Sequence, residues 1–172
     1  MEGSFEVVDG ELRMVQSPNW RHQQIALSIA ILFRQHVYVK ETAYVGIAPF
    51  DMVIRRKPKL RTRQADMFYK TRERLKVNAA ILAHGPLEVA PELVVEILSL
   101  WETPRTLRNK LDDFLEAGIQ EVWVVSPESE TVQVERLSAA GIERVRTYAF
   151  GETVQSVVLR DLAVATASMF AV

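Results

Sequence analysis

Apolar and polar positions change period several times along this chain, and those changes mark out its elements. Phe5 to Val15 forms two short strand-like runs around Asp9-Gly10, the pattern of a β-hairpin on an Asp-Gly turn. From Ser17-Pro18 to about His36, the apolar residues Ile25, Ile29 and Leu32 keep helical spacing, with His22 on the same face. Residues 37 to 70 then read as β structure. Val37-Tyr38-Val39 and Tyr44-Val45-Gly46-Ile47 bracket a polar turn, and Met52-Val53-Ile54 precedes a basic segment. Gln64-Ala65-Asp66 leads into the apolar run Met67-Phe68-Tyr69. Arg72 to Ala83 is predicted as a short helix or an irregular excursion, closed by the break His84-Gly85-Pro86.

The stretch from Pro91 to Pro127 carries the strongest pattern. Leu93-Val94-Val95-Glu96-Ile97-Leu98 has the length and composition of a buried strand, yet holds an acid in its middle. Thr103-Pro104 is an N-cap followed by proline at the first helical position. Leu107, Leu111, Phe114 and Leu115 then repeat at helical spacing up to Gly118. Glu121-Val122-Trp123-Val124-Val125 is a second buried strand, ended by Ser126-Pro127. Strand, helix, strand at this length is a βαβ unit, so the two strands are expected to lie parallel. Lys110 falls on the flank of the helix's apolar stripe, from which its amine can reach Glu96; Arg108, Asp112 and Glu116 take the wet face. Beyond Pro127, Thr131 to Leu137 alternates strictly and turns at Ala140-Gly141. Val145 to Phe150 and Ser156-Val157-Val158-Leu159 continue the β pattern, and Leu162 to Phe170 suggests a short closing helix.

Length and composition narrow the picture. The 172 residues suit a single domain spanning 1–172, and no repeat or low-complexity linker marks a second. The absence of cysteine excludes disulfides, thiolate zinc sites and cysteine nucleophiles. No apolar run approaches the roughly 18 residues of a membrane span, and Met1-Glu2-Gly3-Ser4 does not resemble a signal peptide, so a cytoplasmic location is expected. Net charge is −1, but ten of the 21 basic residues fall between Arg55 and Lys76. Within it Arg55, Arg56, Lys57, Lys59, Arg61 and Arg63 are either a solvated hairpin or a surface that attracts phosphates.

Asp66, Glu96 and Lys110 are the candidate chemistry. Two carboxylates on neighbouring strands can share a hard cation such as Mg²⁺, with Mn²⁺ as a substitute. A metal-acidified water and a lysine at the developing charge would then suffice for phosphodiester hydrolysis. The alternative from spacing alone is a buried Glu96–Lys110 ion pair with no ligand. Asp66 taken alone is equally a turn-forming aspartate. His22 is either a phosphate or water ligand or a hydrogen-bonded residue near a helix start. No Gly-rich phosphate loop and no Gly-x-Ser-x-Gly elbow occurs, which leaves Ser99 a poor nucleophile. His22, His36 and His84 lack zinc spacing.

These residues resemble the Uma-two family of restriction endonucleases, within the PD-(D/E)xK nuclease superfamily. Phe5-Glu6 through Leu12, Ser17-Pro18 and His22 to Ile25 resemble its opening segment, proline and helical histidine. Pro49-Phe50-Asp51 and Gln64-Ala65-Asp66 resemble the stretch ending in its Pro-Asp motif. Pro91 to Ser99 resembles its central strand, Lys110 to Phe114 with Gly118-Ile119 its lysine helix, and Val122 to Val125 its tryptophan strand. The resemblance implies an α/β fold with a restriction-endonuclease-like core, a central mixed β-sheet flanked by helices, and additional β-hairpins. It implies Asp66 and Glu96 as metal-binding acids. Leu98 stands where the superfamily places its lysine, so Lys110 on the following helix takes that role. Gln64 is a candidate supporting residue. Ala65 departs from the motif's proline, Leu100-Trp101-Glu102 from its usual segment, and Thr106 and Ser126 from aspartates.

The expected reaction is Mg²⁺-dependent hydrolysis of phosphodiester bonds in DNA, with a homodimer to cut both strands. The alternative is a catalytically silent nucleic-acid-binding or assembly module on the same fold. A hydrolase for another phosphate ester is a third reading.

Overall fold

The computed structural model describes residues 4–15, 17–40, 43–75 and 85–171. The first hairpin pairs β1 (Ser4–Val8) with β2 (Glu11–Val15). Asp9 and Gly10 both have positive φ, 54° and 83°, as a two-residue type I′ turn requires. The long helix α1 (Trp20–Lys40) follows, then β3 (Ala43–Ile47), the short hairpin β4 (Met52–Arg55) and β5 (Arg61–Arg63), β6 (Met67–Thr71) and the one-turn α2 (Arg72–Leu75). The central unit is β7 (Leu93–Ile97), α3 (Pro104–Ala117) and β8 (Glu121–Ser126). Strands β9 (Thr131–Ser138), β10 (Gly141–Tyr148), β11 (Thr153–Gln155) and β12 (Ala163–Ala165) and the short α4 (Thr166–Met169) complete the chain.

Six strands form one mixed sheet in the order β10-β9-β8-β7-β6-β3. The β7–β8 pair is parallel, as the βαβ pattern predicts, and the other neighbours are antiparallel. Alternation along β7 divides the core in two. Leu93, Val95 and Ile97 face a layer built with Ile25, Ile29 and Phe33 of α1, where Phe33 meets Trp123 edge-on at 5.2 Å. Val94 faces the opposite layer, with Leu111 and Phe114 of α3. Glu96, two residues after Val94, is therefore turned toward α3.

Four expectations are corrected. Helix α1 begins at Trp20 rather than Ser17, because Asn19 caps it: its Oδ1 accepts from the His22 N–H at 2.9 Å. Val37-Tyr38-Val39 is the end of α1, not a strand, since Val37 continues the buried Ile29-Phe33 stripe. Ser156 to Leu159 forms a bend between β11 and β12, and β12 precedes a closing helix shorter than expected. Of the 72–83 segment, only α2 belongs to the described residues. The rest, with Lys76 and His84, lies outside them.

Gly46 pairs with Phe68 across β3 and β6, and a Cβ there would sit 2.2 Å from the Phe68 ring. That ring already packs against Phe50 at 5.7 Å. Gly46→Ala is expected to cost about 1–3 kcal/mol in a denaturant titration.

Candidate active site

The register of β6 on β7 brings the two candidate acids together. Met67 opposes Val95 and Phe68 opposes Val94, so one further step sets Asp66 against Glu96. Asp66 is pinned at this point: its Oδ2 accepts from the Ile97 N–H at 2.7 Å. The same oxygen lies 3.3 Å from Nε2 of His22, which α1 delivers from the other face of the sheet. Lys110, on α3, donates from Nζ to Glu96 Oε2 at 2.7 Å and to Glu102 Oε2 at 3.1 Å. Helix α3 is fixed for this task at both ends. Thr103 and Thr106 form a reciprocal capping box, and Gly118, at φ 86°, closes the C-terminus. The hydroxyl of Thr106, where the family pattern has an acid, is thus used in the cap.

Glu96 is 3 % exposed, and its second oxygen, Oε1, is buried with no hydrogen-bond partner among the described residues. Burial pushes the Glu96 carboxyl up to about 7, against the pull of the Lys110 cation. Lys110 is also desolvated, but Glu96 and Glu102 outweigh that and hold its amine above the usual lysine range. One ammonium serving two carboxylates leaves Glu96 only partly compensated. Burial works to lower His22, and the hydrogen bond and charge of Asp66 raise it on balance.

The donor set fits a hard divalent cation. Glu96 Oε1 is an oxygen that no donor contests, and Asp66 keeps Oδ1 free of hydrogen bonds among the described residues. Among those residues no group of three or more His, Cys, Asp or Glu is gathered around one point. Asp66 and Glu96 are the residues that could hold such an ion, and two carboxylates would suit Mg²⁺, which keeps several waters. A cleft lined by His22, Leu98, Ser99, Glu102, Ser126 and Glu128, among others, meets this site through His22 and Glu102, the partners of Asp66 and Lys110; Asp66, Glu96 and Lys110 themselves do not line it.

Other sequence candidates fall elsewhere. Gln64 is not brought to the acids: its Nε2 donates to Phe5 O at 3.3 Å and Asp51 Oδ1 at 3.0 Å, tying β1 to the loop before β4. The basic stretch is largely consumed by ion pairs. Arg55 binds Asp9 and Glu116, Arg56 binds Glu88, Arg61 binds Asp9 and Asp113, and Arg63 binds Glu6 and Asp113. Lys57 and Lys59 alone of the six are exposed without an ion pair among the described residues. The strip therefore docks both hairpins onto α3, and offers phosphates less charge than its composition suggests. Sequence reasoning missed Glu102, because nothing in the spacing shows that the turn before α3 folds back onto Lys110.

A mixed sheet carrying two acids and a lysine to one strand end places this chain among α/β domains with a restriction-endonuclease-like core. A family model, Uma2, described as "Putative restriction endonuclease", matches residues 1–167, and the chain belongs to that family. Its fold is similar to a crystal structure described as a putative nuclease of DUF820 from Anabaena variabilis ATCC 29413. The TM-score is 0.78 and the identity 17 %, over 99 % of this chain and 92 % of that one. No curated protein matches the sequence. Among the described residues, no helix is long and apolar enough to cross a membrane.

Proposed function

We propose that this protein is a divalent-cation-dependent endonuclease that hydrolyses phosphodiester bonds in DNA, with Asp66, Glu96 and Lys110 as its catalytic residues. The observation that carries this reading is Glu96 itself. A buried acid with one oxygen on Lys110 and the other without a donor is poor structural economy, since an apolar pair would be at least as stable. As half of a cation site opposite Asp66, the same arrangement has a purpose.

Asp66 and Glu96 would hold Mg²⁺ or Mn²⁺. When bound, that cation supplies a Lewis acid, which acidifies water and stabilises charge on a phosphoryl oxygen. Lys110 has three N–H donors, and two are committed to Glu96 and Glu102. The third is available to orient the attacking water or to stabilise charge in the transition state. Glu102 fixes the amine's position, and His22 with the Ile97 N–H orients Asp66. Cutting both strands of a duplex would call for two copies of the site, hence a homodimer for that substrate. The silent-module alternative leaned on the 55–76 basic surface, and the ion pairing of its arginines weakens it.

Calorimetry with Mn²⁺ tests the cation site without any substrate. Wild type is expected to bind, and Asp66→Asn to bind at least tenfold more weakly. Binding near neutral pH should release protons, because the cation needs Glu96 ionised and burial pushes its carboxyl up to about 7. Affinity should therefore fall about tenfold per unit as pH drops below 7. Equal Mn²⁺ binding by wild type and Asp66→Asn would remove the proposed site.

A further inference from the structure

The Lys110 amine has two acids where one would neutralise it. Glu96 takes it on Oε2 at 2.7 Å, and Glu102 on Oε2 at 3.1 Å. Helix α3 does not supply the second acid. About one turn before Lys110 stands Thr106, whose hydroxyl is used in the capping box. About one turn after it stands Asp113, which Arg61 and Arg63 hold. Glu102 comes instead from the turn between β7 and α3, where its N–H donates to Ser99 O at 3.0 Å. That turn folds the side chain back onto the helix, and only 12 % of it is exposed. The Glu102 carboxylate makes no other hydrogen bond or ion pair among the described residues, so holding Lys110 is all it does.

Charge explains what a second acid is for. With Glu96 alone, ammonium and carboxylate would form a neutral pair. A dication drawn to Glu96 Oε1 would then face the ammonium across one shared carboxylate, and each would weaken the other's hold. Burial sharpens that conflict, because Glu96 is 3 % exposed and little water can screen it. Glu102 gives the ammonium a counter-charge of its own. Glu96 can then turn its charge to the cation while Lys110 stays in place. We infer that Glu102 is a positioning residue that tightens the cation site through Lys110, without touching the cation itself. This rests on the proposed Asp66–Glu96 site, and explains how that site tolerates an ammonium beside it.

The test is a cycle of Mn²⁺ affinities, measured by calorimetry at one fixed pH on wild type, Glu102→Gln, Lys110→Met and the double variant. Glutamine keeps the size of Glu102 and removes its charge, so Glu102→Gln should melt close to wild type. It is expected to weaken Mn²⁺ binding about tenfold while Lys110 is present, and by less than about threefold once Lys110→Met has removed the amine. Lys110→Met alone should bind Mn²⁺ at least as tightly as Glu102→Gln, because it removes the competing charge. Equal losses in both backgrounds would mean that Glu102 acts on the cation directly, as a ligand or through its charge, and would overturn the inference. So would Glu102→Gln binding like wild type, Lys110→Met binding no Mn²⁺, or a Glu102→Gln variant that fails to fold. The underlying reading fails separately. No Mn²⁺ binding by wild type defeats the cation site itself, whereas binding that ignores Glu102 defeats only its positioning role.

Discussion

Lys110→Met is expected to lower cation-dependent cleavage by about 10²–10³-fold, with little change in KM, because it removes a donor used chiefly as charge develops in the transition state. The Nζ of Lys110 reaches Glu96 at 2.7 Å, so this variant also strands a buried acid. Glu96 can respond by taking up a proton, toward which burial already biases it, and that limits the loss of stability. The informative variant is the double one, Glu96→Leu with Lys110→Met. A buried ion pair exchanged for apolar groups of similar volume is often neutral or stabilising by about 1–4 kcal/mol. The double variant is therefore expected to be inactive yet to melt at or above the wild-type temperature. A pair kept for chemistry predicts that combination. Retained cleavage, or a fold that collapses, would mean that the pair serves the structure.

The largest effect on stability is expected far from the cleft, at Glu121. This side chain is fully buried at the start of β8, the end opposite Ser126, which lines the cleft. One oxygen accepts from the Trp123 indole. The other accepts from Ser156 Oγ at 2.8 Å and from the Val157 and Val158 N–H groups at 2.9 and 2.8 Å. Four donors of the bend between β11 and β12 and of β8 are thus satisfied by one carboxylate. Glu121→Ala leaves the Trp123 and Ser156 donors buried, and the two amides half-buried, without acceptors, and is expected to cost about 3–5 kcal/mol. For a chain of this size that lowers Tm by roughly 10 °C. Activity per folded molecule should be unchanged below the transition. An unchanged Tm would mean that water or the bend itself satisfies those groups.

The central unit was readable from sequence because each of its signals is local. The β7 run, the Thr103-Pro104 cap, the α3 stripe and Gly118 agree with one another, and the parallel β7–β8 pairing follows from them. The approach of Lys110 to Glu96 was legible for the same reason, since helical period and strand alternation set it. What failed depends on tertiary choice. Val37-Tyr38-Val39 is β-branched and aromatic, yet Val37 extends a buried helical stripe, and packing overrode propensity. Ser156 to Leu159 reads as a strand, but Glu121 captures its amides and bends it. The acids that absorb Arg55, Arg61 and Arg63 lie in β1, its turn and α3, and no spacing rule links segments so far apart. The pairing of Asp66 with Glu96 needed the register of β6 on β7, which sequence alone leaves open.

Anomalous diffraction from crystals soaked in Mn²⁺ tests the two-acid cation site most directly. A peak is expected roughly 2 Å from an oxygen of both Asp66 and Glu96, absent from Asp66→Asn crystals, with the Lys110 amine beside it. A peak that avoids either carboxylate, or none at saturating Mn²⁺, would contradict it.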